Sequence, residues 1–322
     1  MTHKNSDWLR RFQGTSMVVI GAVMWGLSGT VAQTLFQEAD FQPGWLVSVR
    51  LLTAGVLLLA ILAVRRGAGT ILAVWREPRD RLQLLVFGIG GMLAVQYTYF
   101  AAIDASNAAM ATLLQYLGPM LICCWLAFRS RRWPTSYEGG GVLLALAGTA
   151  LLVSGGHGGS LSVSGTALFW GLASAVALAF YTLYPSRLLP RWGAGTVVGW
   201  AMVIGGTGLS FLHPPWQVTG TFTLESILSI SFIIVFGTLL AFFLYLDSLR
   251  LIRPTETSLL ACTEPLSATV AAVVWLGVPF GVPEWVGAGC IIATVALLSL
   301  EPHTQQKAVE PASIPHAKEK TG

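Results

Sequence analysis

The chain has 322 residues, of which 54% are apolar and 11% charged, with a net charge of +4 and a mean hydropathy of +0.67. A water-soluble domain carries about 25% charged residues, so this chain has too few to cover a water-facing surface and must be an integral membrane protein. The length suggests about two units. No basic aromatic platform or helix-turn-helix pattern points to nucleic acid, and Cys123, Cys124, Cys262 and Cys290 all lie inside apolar runs, where a buried small hydrophobe is expected rather than a disulfide framework.

Residues 1–13 are polar and include Lys4, Arg10 and Arg11. An apolar run from about Gly14 to Leu35 follows, too long for a cleaved leader and succeeded at once by another hydrophobic stretch, so a retained helix is expected. A helix needs about 20 apolar residues to cross a ~30 Å hydrocarbon core. Further segments of that kind fall near 43–64, 82–103, 108–127, 138–155, 163–185, 194–213, 226–247, 255–277 and 281–300, for ten spans in all. The fifth, GGGVLLALAGTALLVSGG, is short and glycine-rich and is the least secure. The tail from Glu301 is polar, contains proline and is expected to be disordered. Helices fit because lipid cannot satisfy exposed backbone groups, and the short alternating segments of a barrel are absent.

Cytoplasmic loops carry an excess of Lys and Arg. With ten spans and a cytoplasmic N-terminus, 18 of the 19 basic residues fall on the cytoplasmic side, in the N-terminal segment, the even-numbered loops and the tail. The opposite loops carry Glu38, Asp40, Asp104, Glu225 and Glu284 and no basic residue. The charge therefore reflects cytoplasmic loops facing anionic lipid, with both termini cytoplasmic.

The chain also repeats. GMLAVQYTYFAAIDASNAAMATLLQYLGP, Gly91 to Pro119, returns 146 positions later as GTLLAFFLYLDSLRLIRPTETSLLACTEP, Gly237 to Pro265, with Gly91 on Gly237, Tyr99 on Tyr245 and Pro119 on Pro265; Glu138 then falls on Glu284. The expected layout is a cytoplasmic segment 1–13, a first five-helix repeat 14–155, a Gly-rich extracytoplasmic linker 156–162, a second repeat 163–300 and a cytoplasmic tail 301–322. Five is odd, so equivalent segments enter from opposite sides: the Asp104–Asn107 turn faces out and its counterpart, Arg250–Arg253, faces in. The fold class is all-α integral membrane, ten transmembrane helices in two inverted-topology repeats. That device serves alternating access around a site near the midplane.

Within the spans two charges stand out. Arg50 lies in WLVSVRLLTAGVLLLA; a charge at such depth costs ~2.5–3.5 kcal/mol on insertion scales and is a functional hypothesis by default. Substrate contact or gating competes there with snorkelling and helix stapling. Glu264 lies about ten residues into the ninth span, ~15 Å deep at 1.5 Å per residue, and precedes Pro265, which removes a backbone hydrogen bond. Its repeat partner is Gly118. A proton-coupling site, a ligand for a substrate amine and a neutral acid bonded between helices all fit Glu264.

Polar and aromatic side chains recur at helical spacing on particular spans: Trp25, Ser28 and Gly29; Gln96 and Tyr99; Thr112, Gln115 and Pro119; Trp170, Ser174, Ala177 and Tyr181; Thr238 and Tyr245; Ser258, Glu264 and Ser267. Tyr99 and Tyr245 fall near span ends, where an interfacial aromatic belt is the plain reading. Gln96 and Gln115 are stronger candidates, since an amide in lipid needs a partner. The candidate substrate-binding set is Trp25, Ser28, Arg50, Gln96, Tyr99, Gln115, Trp170, Tyr181, Tyr245 and Glu264. No HExxH, phosphate-loop or GxSxG signature occurs, His157 and His213 fall in outer loops where solvation is expected, and SGGHGGS lacks the context of a nucleotide loop. No enzyme activity, cofactor or metal is expected.

Ten spans in two halves, RLLTAGVLLLA in the second span, Trp25–Gly26 in the first and a proline midway through the fourth and ninth resemble the EamA-type branch of the drug/metabolite transporter superfamily, over about residues 14 to 300. The resemblance implies export of amino acids or small metabolites from the bacterial inner membrane, through a central cavity lined mainly by the first, third, fourth, sixth, eighth and ninth spans. The expected function is a secondary transporter, with protons as the candidate coupling ion and a monomer or homodimer as the assembly. A multidrug or organic-cation exporter is the alternative within the class; a channel and a membrane-embedded binding or sensor protein are those outside it.

Overall fold

A computed structural model describes residues 2–129, 131, 135–154, 163–248, 251–252, 260–261 and 263–299, and among them the regular structure is helical with no strand. The linker 156–162 with His157, the tail 301–322, Ser258 and Arg250 and Arg253 of the inward turn lie outside these residues.

Ten apolar helices fall where ten spans are expected. They are α1 (Thr2–Gln37), α2 (Pro43–Arg66), α3 (Pro78–Ala105), α4 in two segments (Ala108–Gln115 and Gly118–Arg129), α5 (Ser136–Ser154), α6 (Gly165–Trp192), α7 (Ala194–Ser210), α8 (Leu224–Tyr245), α9 (Thr263–Val274) and α10 (Val282–Ser299). Five of them, α1 from Phe12 together with α2, α3, α6 and α8, are long and apolar enough to cross a membrane unaided. Helix α1 begins at Thr2, so the polar residues at the start of the sequence run into it. The glycine-rich fifth span is a full helix. Gly148 lets it approach α10, where a Cβ at 148 would come within 2.8 Å of the Gly287 carbonyl and 2.9 Å of Cys290. Small residues at such a crossing supply the close contact that lipid, as apolar as leucine, cannot drive.

Local chemistry sets the ends. Asn107 caps α4 by accepting from Met110 N–H, Ser164 caps α6 through Ala167 N–H, and Thr223 with Ser226 forms a capping box on α8. Pro43 and Pro78 open α2 and α3, where a missing N–H costs nothing. Gly193, with φ of 77°, alone joins α6 to α7, a left-handed conformation that a Cβ would strain.

Helix pairing obeys a two-fold exchange of helix i with helix i+5. Helices α2 and α7 pack on each other, as do α5 and α10, while α1 packs on α8 and α9 in the manner that α6 packs on α3 and α4. The echo reaches local geometry, since α3 widens into a π-turn at Phe87–Leu93 and α8 at Val235–Leu240, around the repeat-matched Gly91 and Gly237. A single turn of π-helix is rare and recurs at functional sites.

The loops sort by parity. Those after α1 and α7 meet through Thr221 N–H to Ala39 O at 3.0 Å, Gln42 N–H to Thr219 Oγ1 at 3.0 Å and Trp45 Nε1–H to Pro215 O at 3.0 Å. The segments after α2 and at the end of α6 meet through Arg191, which pairs with Asp80 at 2.6 Å and Glu77 at 3.4 Å, and through Trp192 Nε1–H to Asp80 at 2.8 Å. Arg76, Arg79 and Arg191 thus gather at one end, as the charge count requires. Polar groups are buried within an apolar core, and large apolar side chains face outward. Ser28, Gln33, Arg50, Gln96, Thr112, Gln115, Ser174 and Thr238 are buried, whereas Phe128, Leu143, Phe169 and Val176 are exposed. A bundle in lipid behaves this way, keeping its polar groups among neighbouring helices.

Candidate functional site

The centre of the site is the break in α4 together with Pro265 of α9. Pro119 has no N–H for the Gln115 carbonyl, and Leu117 N–H bonds to Leu114 O, so α4 parts between Gln115 and Gly118. In α9 Pro265 likewise leaves the Ala261 carbonyl without its helical donor. That carbonyl accepts from the Tyr116 hydroxyl at 2.7 Å, and the same hydroxyl lies 3.0 Å from Glu264 Oε2. The break in α4 therefore supplies the hydrogen bond that Pro265 denies to the Ala261 carbonyl.

Around this pair the first helix comes in without side chains to spare. Gly26 faces Ser267 Oγ, and a Cβ there would also lie 2.7 Å from Glu264 O and 2.8 Å from Ala268 N, so α1 and α9 touch backbone to backbone. Trp25, one residue earlier, turns to α8, with its ring 5.2 Å from Tyr245 and 5.0 Å from Phe242. Ser28 sits against Gly237 at the π-turn of α8.

On the other side, Tyr99 of α3 bonds Thr112 of α4 at 2.7 Å. Thr112 gives its own proton to Ala108 O at 2.7 Å, so Tyr99 is the donor. Its hydroxyl passes beneath Gly29 and lies within electrostatic reach of both Arg50 and Glu264. Arg50 is 3% exposed, with its guanidinium 4.5 Å above the Phe100 ring. Its Nε has no hydrogen-bond partner among the described residues. A cation–π contact offsets part of the desolvation, and an anionic group would satisfy the remainder.

The candidate residues thus divide. Trp25 and Tyr245 touch each other, Ser28 lies on the same α1–α8 seam, and Tyr99 lies in electrostatic reach of Arg50 and of Glu264. Gln115 instead bonds Ser174 Oγ at 2.6 Å and ties α4 to α6. Gln96 finds the weak acceptor Met92 Sδ at 3.9 Å. Trp170 stands edge-on to Tyr97, which stacks on His213, and Tyr181 stacks on Phe87 while interacting electrostatically with Tyr245.

Three expectations change. Tyr99 is buried and bonded inside the bundle, and Tyr245 is half-buried against Trp25, so neither belongs to an interfacial belt; nearness to a span end says nothing of the face a side chain occupies. His213 is half-buried on Tyr97 and against Gly44, since the short turn after α7 folds it back onto the bundle. It also lines a hollow of about 340 Å³ with Trp45, Gln42 and Thr219, at the end where the loops after α1 and α7 meet. Tyr116, Phe100, Phe242 and Tyr97 were not among the candidates. The one signal for Tyr116 was its place just before the Gly118–Pro119 break. No group of three metal-ligating side chains occurs among the described residues.

A model of the EamA-like transporter family matches residues 12–154 and again residues 165–300, once per repeat. The chain belongs to the EamA-like transporter family. Among relatives of this EamA protein, the inner membrane transporter YicL of Salmonella typhimurium is 40% identical over 92% of this chain and 98% of its own. A protein from Ancylobacter novellus named as the aromatic amino acid exporter YddG is 30% identical over 52% of this chain and 59% of its own. A solved crystal structure 20% identical to the EamA chain superposes with a TM-score of 0.62, over 91% of this chain and 98% of that one, and shows the fold alone.

Proposed function

We propose that this EamA protein exports amino acids or similar small metabolites across the inner membrane by alternating access, with both termini cytoplasmic. One observation carries the reading: a guanidinium in the first half is buried over Phe100 with its Nε unpartnered among the described residues, and a carboxylate in the second half meets Tyr116 of the first. A zwitterion has the complementary pair of charges. Its ammonium belongs at Glu264, its carboxylate at Arg50, and an aromatic side chain fits against Trp25 and Tyr245. The relative named as an aromatic amino acid exporter supports this choice of side chain. Rocking of the two halves about the break in α4 and Pro265 of α9 would expose the site alternately. Protons are the proposed coupling ion, through Glu264.

The seam of Trp25, Tyr245 and Phe242 beside a lone carboxylate also favours a second reading, an organic-cation exporter in which Arg50 only staples helices. Thermal shifts of the purified protein separate the two. A ligand at ~100 times its dissociation constant stabilises the folded state by ~2.7 kcal/mol. L-Phenylalanine should raise the melting temperature by several degrees, with phenethylamine and hydrocinnamate, each lacking one charge, giving little. Arg50→Ala should erase the phenylalanine shift while leaving the protein folded. Equal shifts with phenethylamine that survive Arg50→Ala would replace amino acids by organic cations, and no shift with any of the three would defeat both readings.

A further inference from the structure

We propose that Tyr116 is a positioning residue that links the charge on Glu264 to the Ala261 carbonyl left open by Pro265 in α9. Its phenolic proton has two acceptors in reach, Ala261 O at 2.7 Å and Glu264 Oε2 at 3.0 Å. One proton serves one of them well. An ionised carboxylate is the stronger acceptor, because charge-assisted hydrogen bonds are roughly twice as strong as neutral ones. It therefore draws the proton away from the Ala261 carbonyl, which Pro265 has already deprived of its helical donor. When Glu264 is neutralised the order reverses. A protonated carboxyl donates to the Tyr116 oxygen, the Tyr116 O–H points to Ala261 O, and a continuous chain joins Glu264 to that carbonyl. An ammonium seated on Glu264 has the same effect, since it satisfies the carboxylate.

The consequence is a rule for exchange. The carrier holding a proton or a substrate has its Ala261 carbonyl capped, and the carrier with a bare carboxylate does not. If only the capped form rearranges, the empty carrier does not return, and flux of one species requires the other. No competing partner faces the carboxylate among the described residues. Helix α1 has no titratable side chain from Gly14 to Gln37, the described part of α4 offers Tyr116, and Tyr99 and Tyr245 are the other ionisable groups in electrostatic reach. This inference rests on the reading of Glu264 as the proton- and substrate-bearing group.

The test has two arms. In the first, melting temperatures are measured for the wild type, Tyr116→Phe, Pro265→Ala and the double variant, without ligand. Pro265→Ala returns a helical N–H to Ala261 O, so the loss caused by Tyr116→Phe should fall to less than half in that background. If Tyr116→Phe alone does not accumulate, recovery of folded protein in the double variant is the same result. Additive losses, or no recovery, overturn the cap. In the second arm, proteoliposomes carry L-phenylalanine. Tyr116→Phe should transport at least ~10-fold more slowly at every pH, while Pro265→Ala should release phenylalanine without a pH gradient at a rate near that of the driven wild type. A Pro265→Ala protein that stays coupled, or a Tyr116→Phe protein with the wild-type pH profile, overturns the switch. A wild type that moves no phenylalanine at all would defeat the proposed substrate, and the melting cycle would still decide on Tyr116.

Discussion

Replacing Glu264 by Gln should leave a folded protein that no longer uses a pH gradient. Gln has the same shape, its amide N–H can donate to the Tyr116 oxygen as a protonated carboxyl would, and a neutral amide is less costly in the bilayer than a carboxylate. Folded yield and melting temperature should therefore hold or rise. A hydrogen bond to a charged group contributes up to ~3 kcal/mol, and each 1.4 kcal/mol is about tenfold, so gradient-driven efflux should fall ~30- to 100-fold and the remaining flux should be flat with pH. The comparison to make is driven uptake into inverted vesicles at matched protein density. Wild-type rates in Glu264→Gln would remove this carboxylate from the transport cycle.

The second large effect concerns packing. Gly26→Ala puts a methyl group 2.7 Å from Glu264 O and 2.8 Å from Ala268 N, both backbone atoms that cannot rotate aside. Overpacking of this kind costs ~1–3 kcal/mol. It also pushes α1 away from the turn of α9 that presents Glu264, so transport should suffer beyond the loss of folded protein. Gly69→Ala is the control, since a Cβ there meets nothing within 4 Å. Gly26→Ala should melt ~5 °C or more below wild type, on the scale of a few degrees per kcal/mol, and Gly69→Ala should not. Equal melting temperatures for the two variants would refute the backbone contact.

Much of this architecture was legible before any coordinates. Apolar runs of about 20 residues mark helices because the bilayer thickness imposes that length, and most helices begin and end within a few residues of the expected spans, whereas α1 begins at Thr2 rather than near Gly14, α6 runs on to Trp192, and α9 is described without a gap only from Thr263. The repeat of Gly91–Pro119 in Gly237–Pro265 announced a two-fold relation between the halves, and the matched π-turns of α3 and α8, which no residue pattern announced, fall on its Gly91 and Gly237. The mismatch of Gly118 with Glu264 pointed to the carboxylate at the centre of the site. What sequence reasoning could not provide was direction. Tyr99 near the end of α3 and Tyr97 two residues before it occupy different faces, one toward Thr112 and Arg50, the other toward Trp170 and His213. Gln96 and Gln115 looked alike, yet Gln115 found Ser174 on another helix and Gln96 only the Met92 thioether one turn back on its own, because tertiary packing decides which amide meets a partner. Tyr116 was passed over since the carbonyl it serves lies 145 residues away; the need arises at Pro265 and is met from the other half of the molecule.

The central claim is that protons drive this transporter through a buried carboxylate. Purified protein in liposomes loaded with L-phenylalanine, given an opposing pH gradient and then a protonophore, measures it directly. Uphill movement should begin with the gradient and slow at least tenfold when the protonophore collapses it, with counter-movement of protons seen by an entrapped pH dye. Uphill flux that continues unchanged after the gradient is gone would contradict the account.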